Sequence, residues 1–215
     1  MQKLAKEKVG SPNIRLLIFD AGGVIFEGSG GYLRYLRNNV IKDKGVLARI
    51  EPIYYKAESG ACTFKQEIAE MSIVSGLSQS RFQWDSKDKT SGDISEDNKK
   101  VVSLIRALRE QGYKVVMLSN NVRPRYYGLV SAGIINPNDF DRVFLSPNIK
   151  RLKPDISAYE YVLHRMRAKL KEAVFIDDVE ANVDASKKVG IEGILFKTYK
   201  QLIKDLRRIG VRDTV

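Results

Sequence analysis

Aspartate residues stand at the ends of apolar runs at two places in the sequence. Asp20 ends the first run and is followed closely by Gly22, and the adjacent acids Asp177 and Asp178 end a later run. Carboxylates serve as nucleophiles in covalent catalysis and are oxygen ligands that Mg²⁺ prefers. Glycine lets the backbone approach a ligand closely. The pattern therefore indicates nucleophilic and metal chemistry carried by carboxylates.

Two further polar segments have residue types suited to an anionic ligand. Ser119, Asn120 and Asn121 offer a small hydroxyl and two amides, and Lys153 places a cation ahead of a predicted helix. Taken singly, each segment has an ordinary structural explanation, because polar residues at strand ends often cap the following helix. A shared function requires that the fold bring these residues to one edge of the molecule.

Chemistry based on cysteine or histidine is nearly excluded by composition. Cys62 is the only cysteine and His164 is the only histidine. No intrachain disulfide and no cysteine-based metal site can therefore form, and a Ser-His-Asp triad would have to use His164. We expect Cys62 to be a small packing residue and His164 to lie on the surface or in packing contacts.

Five short apolar runs, rich in β-branched residues, are separated by stretches of helix length. Such runs are typical of strands that are buried on both faces of a parallel sheet. They are Ile14–Asp20, Lys114–Ser119, Arg142–Ser146, Ala173–Asp177 and Gly193–Phe196. Helical patterns lie between them at Glu96–Gln111, Pro124–Ser131, Asp155–Leu170 and Val179–Val189. The alternation predicts an α/β fold with a doubly wound parallel sheet.

The interval between the first two runs is far longer than one crossover connection needs. Residues 28–94 are therefore predicted to form a small helical cap domain, and residues 1–27 and 95–215 the α/β core domain. The glycine-rich segment 28–31 predicts a hinge. Ligands bind at the carboxyl edge of such sheets, so we expect the cap to cover that edge. Helical patterns in the cap lie at Tyr32–Lys42, Leu47–Ala57 and Phe64–Val74.

The net charge of +11 favours anionic partners. Most basic residues are scattered along predicted helix faces, which is typical of a solvated surface. Nucleic acid is one alternative partner, although no basic motif with interleaved aromatics supports it. No apolar stretch is long enough to span a membrane and no signal-peptide pattern is present, so we expect a cytoplasmic protein without membrane contact. The sequence carries no signal for an oligomeric state. The candidate nucleic-acid contacts are Arg34, Arg37, Lys42 and Arg49.

Taken in order, four motifs resemble those of the haloacid dehalogenase-like (HAD) hydrolase superfamily. The first resembles the family pattern FDxDGV with one change, the second is a strand-end Ser or Thr, the third is a Lys-Pro-Asp, and the fourth is an acidic pair. They are matched by Phe19–Val24, Ser119, Lys153-Pro154-Asp155 and Asp177-Asp178. The resemblance runs from about Ile14 to Phe196. It implies a Rossmann-like core with an inserted helical cap.

The resemblance implies a Mg²⁺-dependent phosphatase that acts on a small phosphorylated metabolite. Asp20 would attack phosphorus in line and form an aspartyl-phosphate that water hydrolyses. Ser119 and the backbone amide of Asn120 would hold the phosphoryl oxygens, and Lys153 would neutralise charge. The acidic fourth motif favours metal-dependent phosphoryl transfer over the metal-free dehalogenation of other superfamily members.

The resemblance also implies a set of Mg²⁺ ligands. These would be the carboxylates of Asp20 and Asp178 and the backbone carbonyl of Gly22, with Asp177 binding directly or through water. The cation would offset the repulsion between the attacking carboxylate and the phosphate, because Mg²⁺ prefers such oxygen ligands.

Gly22 departs from the family pattern. Most phosphatases of the family have an aspartate here, which acts as general acid and base, and such catalysis contributes roughly 10²- to 10⁴-fold in rate. Glu27 and the cap residue Glu58 are candidate replacements. The alternative interpretation is a catalytically weakened protein that binds a phosphorylated ligand or a partner without efficient hydrolysis.

Substrate choice is expected to come from the cap. Its aromatic residues have helical spacing and are predicted mainly to pack, with a few facing the site. Arg123 and Arg125 follow the second motif and could reach an anionic substrate, although we expect them to lie on the surface. The cap aromatics are Tyr32, Tyr35, Tyr54, Tyr55, Phe64 and Trp84.

Overall fold

The computed structural model of the protein describes residues 14–27, 31–83 and 94–212. Its strands are β1 (Leu16–Phe19), β2 (Lys114–Ser119), β3 (Arg142–Leu145), β4 (Ala173–Asp177) and β5 (Glu192–Leu195). They form one parallel sheet in the order β3-β2-β1-β4-β5. The predicted α/β fold with a parallel sheet is thereby confirmed. β2 and β4 have the predicted bounds, and the other strands differ by one or two residues at their ends.

Alternate residues of β1 face opposite sides of the sheet. Leu17 and Phe19 belong to one buried apolar cluster, and Leu16 and Ile18 belong to a second. All four side chains are essentially inaccessible to solvent. Because both faces of the strand are covered, its sequence is a continuous apolar run rather than an alternating one.

The helices that follow β1 pack largely on one another. They are α1 (Gly31–Tyr35), a π-helical turn (Leu36–Val40), α2 (Lys44–Glu58), α3 (Phe64–Ser75) and a 3₁₀ turn (Gln79–Phe82). Leu36, Ile50, Met71 and Phe82 are fully buried in an apolar cluster formed by this segment. We call residues 31–83 the cap segment. The division of the chain into a core and a cap domain stays a prediction, and residues 28–30 of the predicted hinge lie outside the described residues.

In the described part of the chain, six α-helices accompany the later strands. They are α4 (Glu96–Glu110), α5 (Arg123–Ser131), α6 (Ser146–Ile149), α7 (Ile156–Met166), α8 (Glu180–Val189) and α9 (Tyr199–Arg208). α7 ends before the predicted Leu170 because Arg167 adopts a left-handed conformation with φ of 54°. It begins one residue after the predicted Asp155, which is instead the N-cap, since the Asp155 carboxylate accepts a hydrogen bond from the Ser157 amide. Among the described residues, no helix is both long and apolar enough to cross a membrane.

Candidate active site

The polar residues of the first, second and fourth motifs meet at the carboxyl edge of three neighbouring strands. Asp20 follows β1, Ser119 ends β2 and Asp177 ends β4, and the sheet places β1 between the other two. Ligands bind at this edge in open parallel sheets. A cavity of about 310 Å³ opens here, and Asp20, Gly22, Ser119, Lys153 and Asp178 contribute to its wall.

Lys153 links two of the aspartates. Its ammonium group donates hydrogen bonds of 2.7 Å to Asp20 Oδ1 and of 2.7 Å to Asp177 Oδ2, and the residue is 3% exposed. Burial raises the pKa of Asp20 to about 7, although Lys153 acts in the opposite direction. Burial alone would lower the pKa of Lys153, but Asp177 and Asp20 raise it above its usual value. The lysine is therefore a fixed cation beside Asp20.

Asp177 is fully buried and already carries several hydrogen bonds. Its Oδ1 accepts from the Val179 amide at 2.8 Å, and its Oδ2 accepts from Asn182 Nδ2 at 3.0 Å as well as from Lys153. These contacts fix the carboxylate beneath the cavity and orient Lys153. Asn182, which lines the cavity from α8, was not identified from the sequence.

Asn120 holds the loop that carries Lys153. Its side chain donates to the Lys153 carbonyl at 2.8 Å and accepts from the Lys153 amide at 3.0 Å. The sequence had suggested a phosphate-binding amide, and the side-chain amide is instead used to position the lysine backbone. The predicted role of the Asn120 backbone amide in holding phosphoryl oxygens stays a prediction.

The three aspartates form a cluster with the geometry of a cation site. Asp20, Asp177 and Asp178 each place a carboxylate oxygen within 4.8 Å of the other two. Gly23 adjoins them with φ of 76°, and a Cβ built on it would lie 2.1 Å from Asp178 Oδ2. The absence of a side chain at this position therefore lets the Asp178 carboxylate approach the loop after β1.

The cap segment supplies the other wall of the cavity. Tyr32, Leu33, Tyr54, Tyr55 and Glu58 line it from α1 and α2. Three of the predicted aromatics therefore reach the site. Two others pack against the apolar cluster of the cap segment, and Trp84 lies outside the described residues. The two packing aromatics are Tyr35 and Phe64.

Arg125 is buried and lines the cavity, so its predicted surface location is wrong. Its guanidinium group donates to Glu58 Oε1 at 3.1 Å and also to Glu67 Oε1, and it lies 3.9 Å from the ring centroid of Tyr32. Burial favours loss of its proton, but the two glutamates raise the pKa of Arg125 above its usual value. Arg123 is exposed, as predicted, and donates to the Asn148 side chain.

The other candidate side chains lie away from the cavity wall. Glu27, one candidate replacement acid, is exposed and lines a different depression. The four basic residues considered for nucleic acid are also exposed, and nucleic-acid binding stays a prediction. These residues are Arg34, Arg37, Lys42 and Arg49.

Comparison with known proteins agrees with this arrangement. A model of the haloacid dehalogenase-like hydrolase family matches residues 14–190. The chain belongs to this family. The resemblance inferred from four motifs is thereby confirmed, and so is the expectation that the protein is a hydrolase.

Relatives of known name and structure cover most of the chain. It is similar to the sesquiterpene phosphatase astK of Aspergillus oryzae, with 28% identity over 192 residues, which are 89% of this chain and 94% of that protein. It is also similar in structure to a HAD family enzyme of Bacteroides thetaiotaomicron, with 22% identity, a TM-score of 0.73, and coverage of 89% of this chain and 98% of that one. A further structure of that enzyme is a complex with magnesium and inorganic phosphate, at 22% identity and a TM-score of 0.70 over 86% of this chain and 95% of that one.

Proposed function

We propose that this hydrolase is a Mg²⁺-dependent phosphatase that cleaves a small phosphomonoester through an aspartyl-phosphate on Asp20. The observation that carries the proposal is the bridge from Lys153 to Asp20 and Asp177 at the floor of one cavity. A carboxylate held next to a fixed cation can accept a dianionic phosphoryl group close to it, because the cation offsets the mutual repulsion.

Each polar residue of the cavity has a separate role in the proposed reaction. Asp20 attacks phosphorus in line with the departing alcohol, and water later hydrolyses the aspartyl-phosphate. Lys153 stabilises the negative charge on the equatorial phosphoryl oxygens. Ser119, which is 5% exposed at the end of β2, and the Asn120 amide bind the same oxygens.

The carboxylate cluster fits a divalent cation. Asp20 and Asp178 with the Gly22 carbonyl are the proposed ligands, and Asp177 contributes directly or through water. Three carboxylates within 4.8 Å repel one another unless cations balance them, and Lys153 supplies only one positive charge. When bound, Mg²⁺ would neutralise the attacking carboxylate and the phosphate together. The HAD family enzyme of B. thetaiotaomicron crystallised with magnesium and phosphate supports this assignment.

Gly23→Ala is expected to weaken Mg²⁺ binding by about 10- to 100-fold, as changes around metal ligands typically do. The new Cβ would collide with the Asp178 carboxylate, which would have to move. Calorimetric titration with Mg²⁺ measures the effect. Gly76→Ala is a matched control, because Gly76 has a similar φ of 72° and its Cβ would meet nothing within 4 Å. Equal losses of Mg²⁺ affinity in the two variants would assign the effect to backbone strain instead.

The cavity favours a phosphomonoester with a partly apolar alcohol. Tyr32, Tyr54 and Leu33 line the same cavity as Asp20 and Asp178, and aromatic rings contribute large apolar contact areas. The A. oryzae relative, named a sesquiterpene phosphatase, supports this class. We therefore expect isoprenoid alcohol phosphates to be hydrolysed more efficiently than sugar phosphates.

The function is tested by measuring phosphate release from p-nitrophenyl phosphate and from a panel of alkyl, isoprenoid and sugar phosphates. Phosphate release is expected in the presence of Mg²⁺. EDTA should stop this release, and excess Mg²⁺ should restore it. Asp20→Asn protein purified in the same way is the control for a contaminating phosphatase. Equal release by the two proteins contradicts the proposal. Binding of phosphate esters without any release would favour the alternative of a weakened, ligand-binding protein.

A further inference from the structure

An alcohol that leaves phosphate needs a proton. At position 22, where most phosphatases of the family have the aspartate that donates it, this chain has glycine. Gly22 lines the cavity but carries no side chain. In the part of the chain that the structure describes, three carboxyl groups line this cavity, those of Asp20, Asp178 and Glu58. Asp20 is the proposed nucleophile and Asp178 a proposed cation ligand. Glu58 is the carboxyl group that neither role uses.

Glu58 is a buried carboxyl group in the wall of the cavity. It is the last residue of α2 and is 1% exposed. Its Oε1 accepts a hydrogen bond from Arg125, and the Tyr54 hydroxyl and the Val122 amide lie close to the same carboxyl group. These contacts fix the carboxyl group in the wall of the cavity.

The direction of the reaction also brings the alcohol toward this residue. In-line displacement places the departing oxygen opposite the attacking one. Asp20 lies at the strand ends, and residues of α1 and α2, with Glu58 at the end of α2, line the same cavity. We therefore expect the departing oxygen to leave into the part of the cavity that the cap segment lines.

The surroundings of Glu58 keep it protonated at neutral pH. Burial raises its pKa to about 8, the negative charge of Glu67 adds to the increase, and Arg125, the Tyr54 hydroxyl and the Val122 amide oppose it. Two glutamates and one arginine are buried together, and one retained proton leaves this cluster neutral. Glu58 is thus a neutral acid whose conjugate base is stabilised by the adjacent guanidinium group, as a general acid requires.

We propose that Glu58 is the general acid that protonates the leaving alcohol in place of the absent side chain at Gly22. This inference rests on the proposed phosphatase function. As Asp20 bonds to phosphorus, the bond between phosphorus and the alcohol oxygen breaks. The electron pair of that bond stays on the alcohol oxygen, and the proton of Glu58 moves to the same oxygen. The Glu58 carboxylate then takes a proton from the water that attacks the aspartyl-phosphate. The bond from phosphorus to Asp20 breaks, and inorganic phosphate leaves.

The test compares Glu58→Gln with the wild type on two kinds of substrate, an alkyl phosphate and p-nitrophenyl phosphate. p-Nitrophenolate leaves readily without a proton, whereas an alkoxide does not. The value of kcat/KM depends only on the steps up to and including departure of the alcohol. We expect kcat/KM for the alkyl phosphate to fall about 10²- to 10³-fold, within the range of general acid catalysis, and that for p-nitrophenyl phosphate to fall less than about tenfold. Gln has the shape of the protonated glutamate, so folding is preserved.

The pH profile gives a second measure of the same role. For the wild type, kcat/KM on the alkyl phosphate should decline as pH rises through about 8, because Glu58 loses its proton there. This decline should be absent in Glu58→Gln. A profile that keeps the same alkaline decline in the variant would overturn the assignment.

Glu67→Gln is the matched control, because Glu67 belongs to the same buried cluster but does not line the cavity. It should change kcat/KM for both substrates by the same factor. Equal losses on both substrates in Glu58→Gln, or a selective loss on the alkyl phosphate in Glu67→Gln, would overturn the role of Glu58 and leave the phosphatase function standing. A wild type that hydrolyses neither substrate would overturn both.

Discussion

Asp20→Asn is expected to lower kcat for phosphomonoester hydrolysis by about 10⁴-fold or more, as the loss of a nucleophile does in other enzymes. The amide has nearly the shape of the carboxylate but does not attack phosphorus. Its neutral side chain also removes one of the three clustered negative charges. Lys153 keeps its 2.7 Å hydrogen bond to Asp177, so we expect the fold to persist. Phosphate release at saturating substrate measures the loss.

Covalent trapping separates the loss of the nucleophile from a general disturbance of the site. Wild-type protein denatured during turnover should carry one additional phosphoryl group by mass spectrometry, and Asp20→Asn should carry none. Glu160→Gln is a control, because Glu160 is exposed on α7 and does not line the cavity, and it should leave kcat essentially unchanged. A phosphoryl group found on Asp20→Asn protein would contradict the proposed mechanism.

The sheet was predictable from the sequence because each central strand is buried on both faces. The run ending at Asp20 consists of apolar side chains that pack alternately into two clusters, and this produces a continuous apolar pattern. The residues after the strands converge for the same reason, since parallel strands end at one edge. The sequence alone therefore predicts that Asp20, Ser119 and Asp177 lie close together.

The contacts between the cap segment and the core could not be predicted in this way. Arg125 looks like an ordinary surface residue of α5, because the partners that bury it come from α2 and α3, more than 50 residues away in the chain. Glu58 and Glu27 are both candidate replacement acids in the sequence, and only the cavity, which Glu58 lines and Glu27 does not, distinguishes them. The role of Asn120 likewise depends on a loop at Lys153. Such pairings arise from packing between elements, which a local pattern does not encode.

Arg125→Met is expected to destabilise the protein by about 3–5 kcal/mol, the usual cost of breaking a buried ion pair. Arg125 belongs to a core helix, while its partners Glu58 and Glu67 belong to the cap segment. Methionine would fill much of the space against Tyr32 but would leave the glutamates buried without a cation. Denaturation by urea at neutral pH measures the loss in free energy of unfolding.

The destabilisation of Arg125→Met should grow as pH rises. Burial already raises the pKa of Glu58 to about 8 and raises that of Glu67, and Arg125 opposes both increases. Without the arginine both folded-state pKa values rise further above their unfolded values. A carboxyl group with a raised pKa contributes stability that is complete below its unfolded pKa and is lost as pH increases through the folded pKa. The difference from wild type should therefore be smaller at about pH 5 than at about pH 8.5.

The triple variant Arg125→Met, Glu58→Gln and Glu67→Gln separates loss of charge balance from loss of packing. It contains no buried charge in this cluster, so it should regain part of the stability that Arg125→Met loses, because an unpaired buried amide costs less free energy than an unpaired buried charge. Its free energy of unfolding should also depend less on pH, because the two titrating carboxyl groups are gone. If the triple variant were as unstable as Arg125→Met, the guanidinium contacts with the rings of Tyr32 and Tyr54, rather than the balance of charge, would hold α5 against the cap segment.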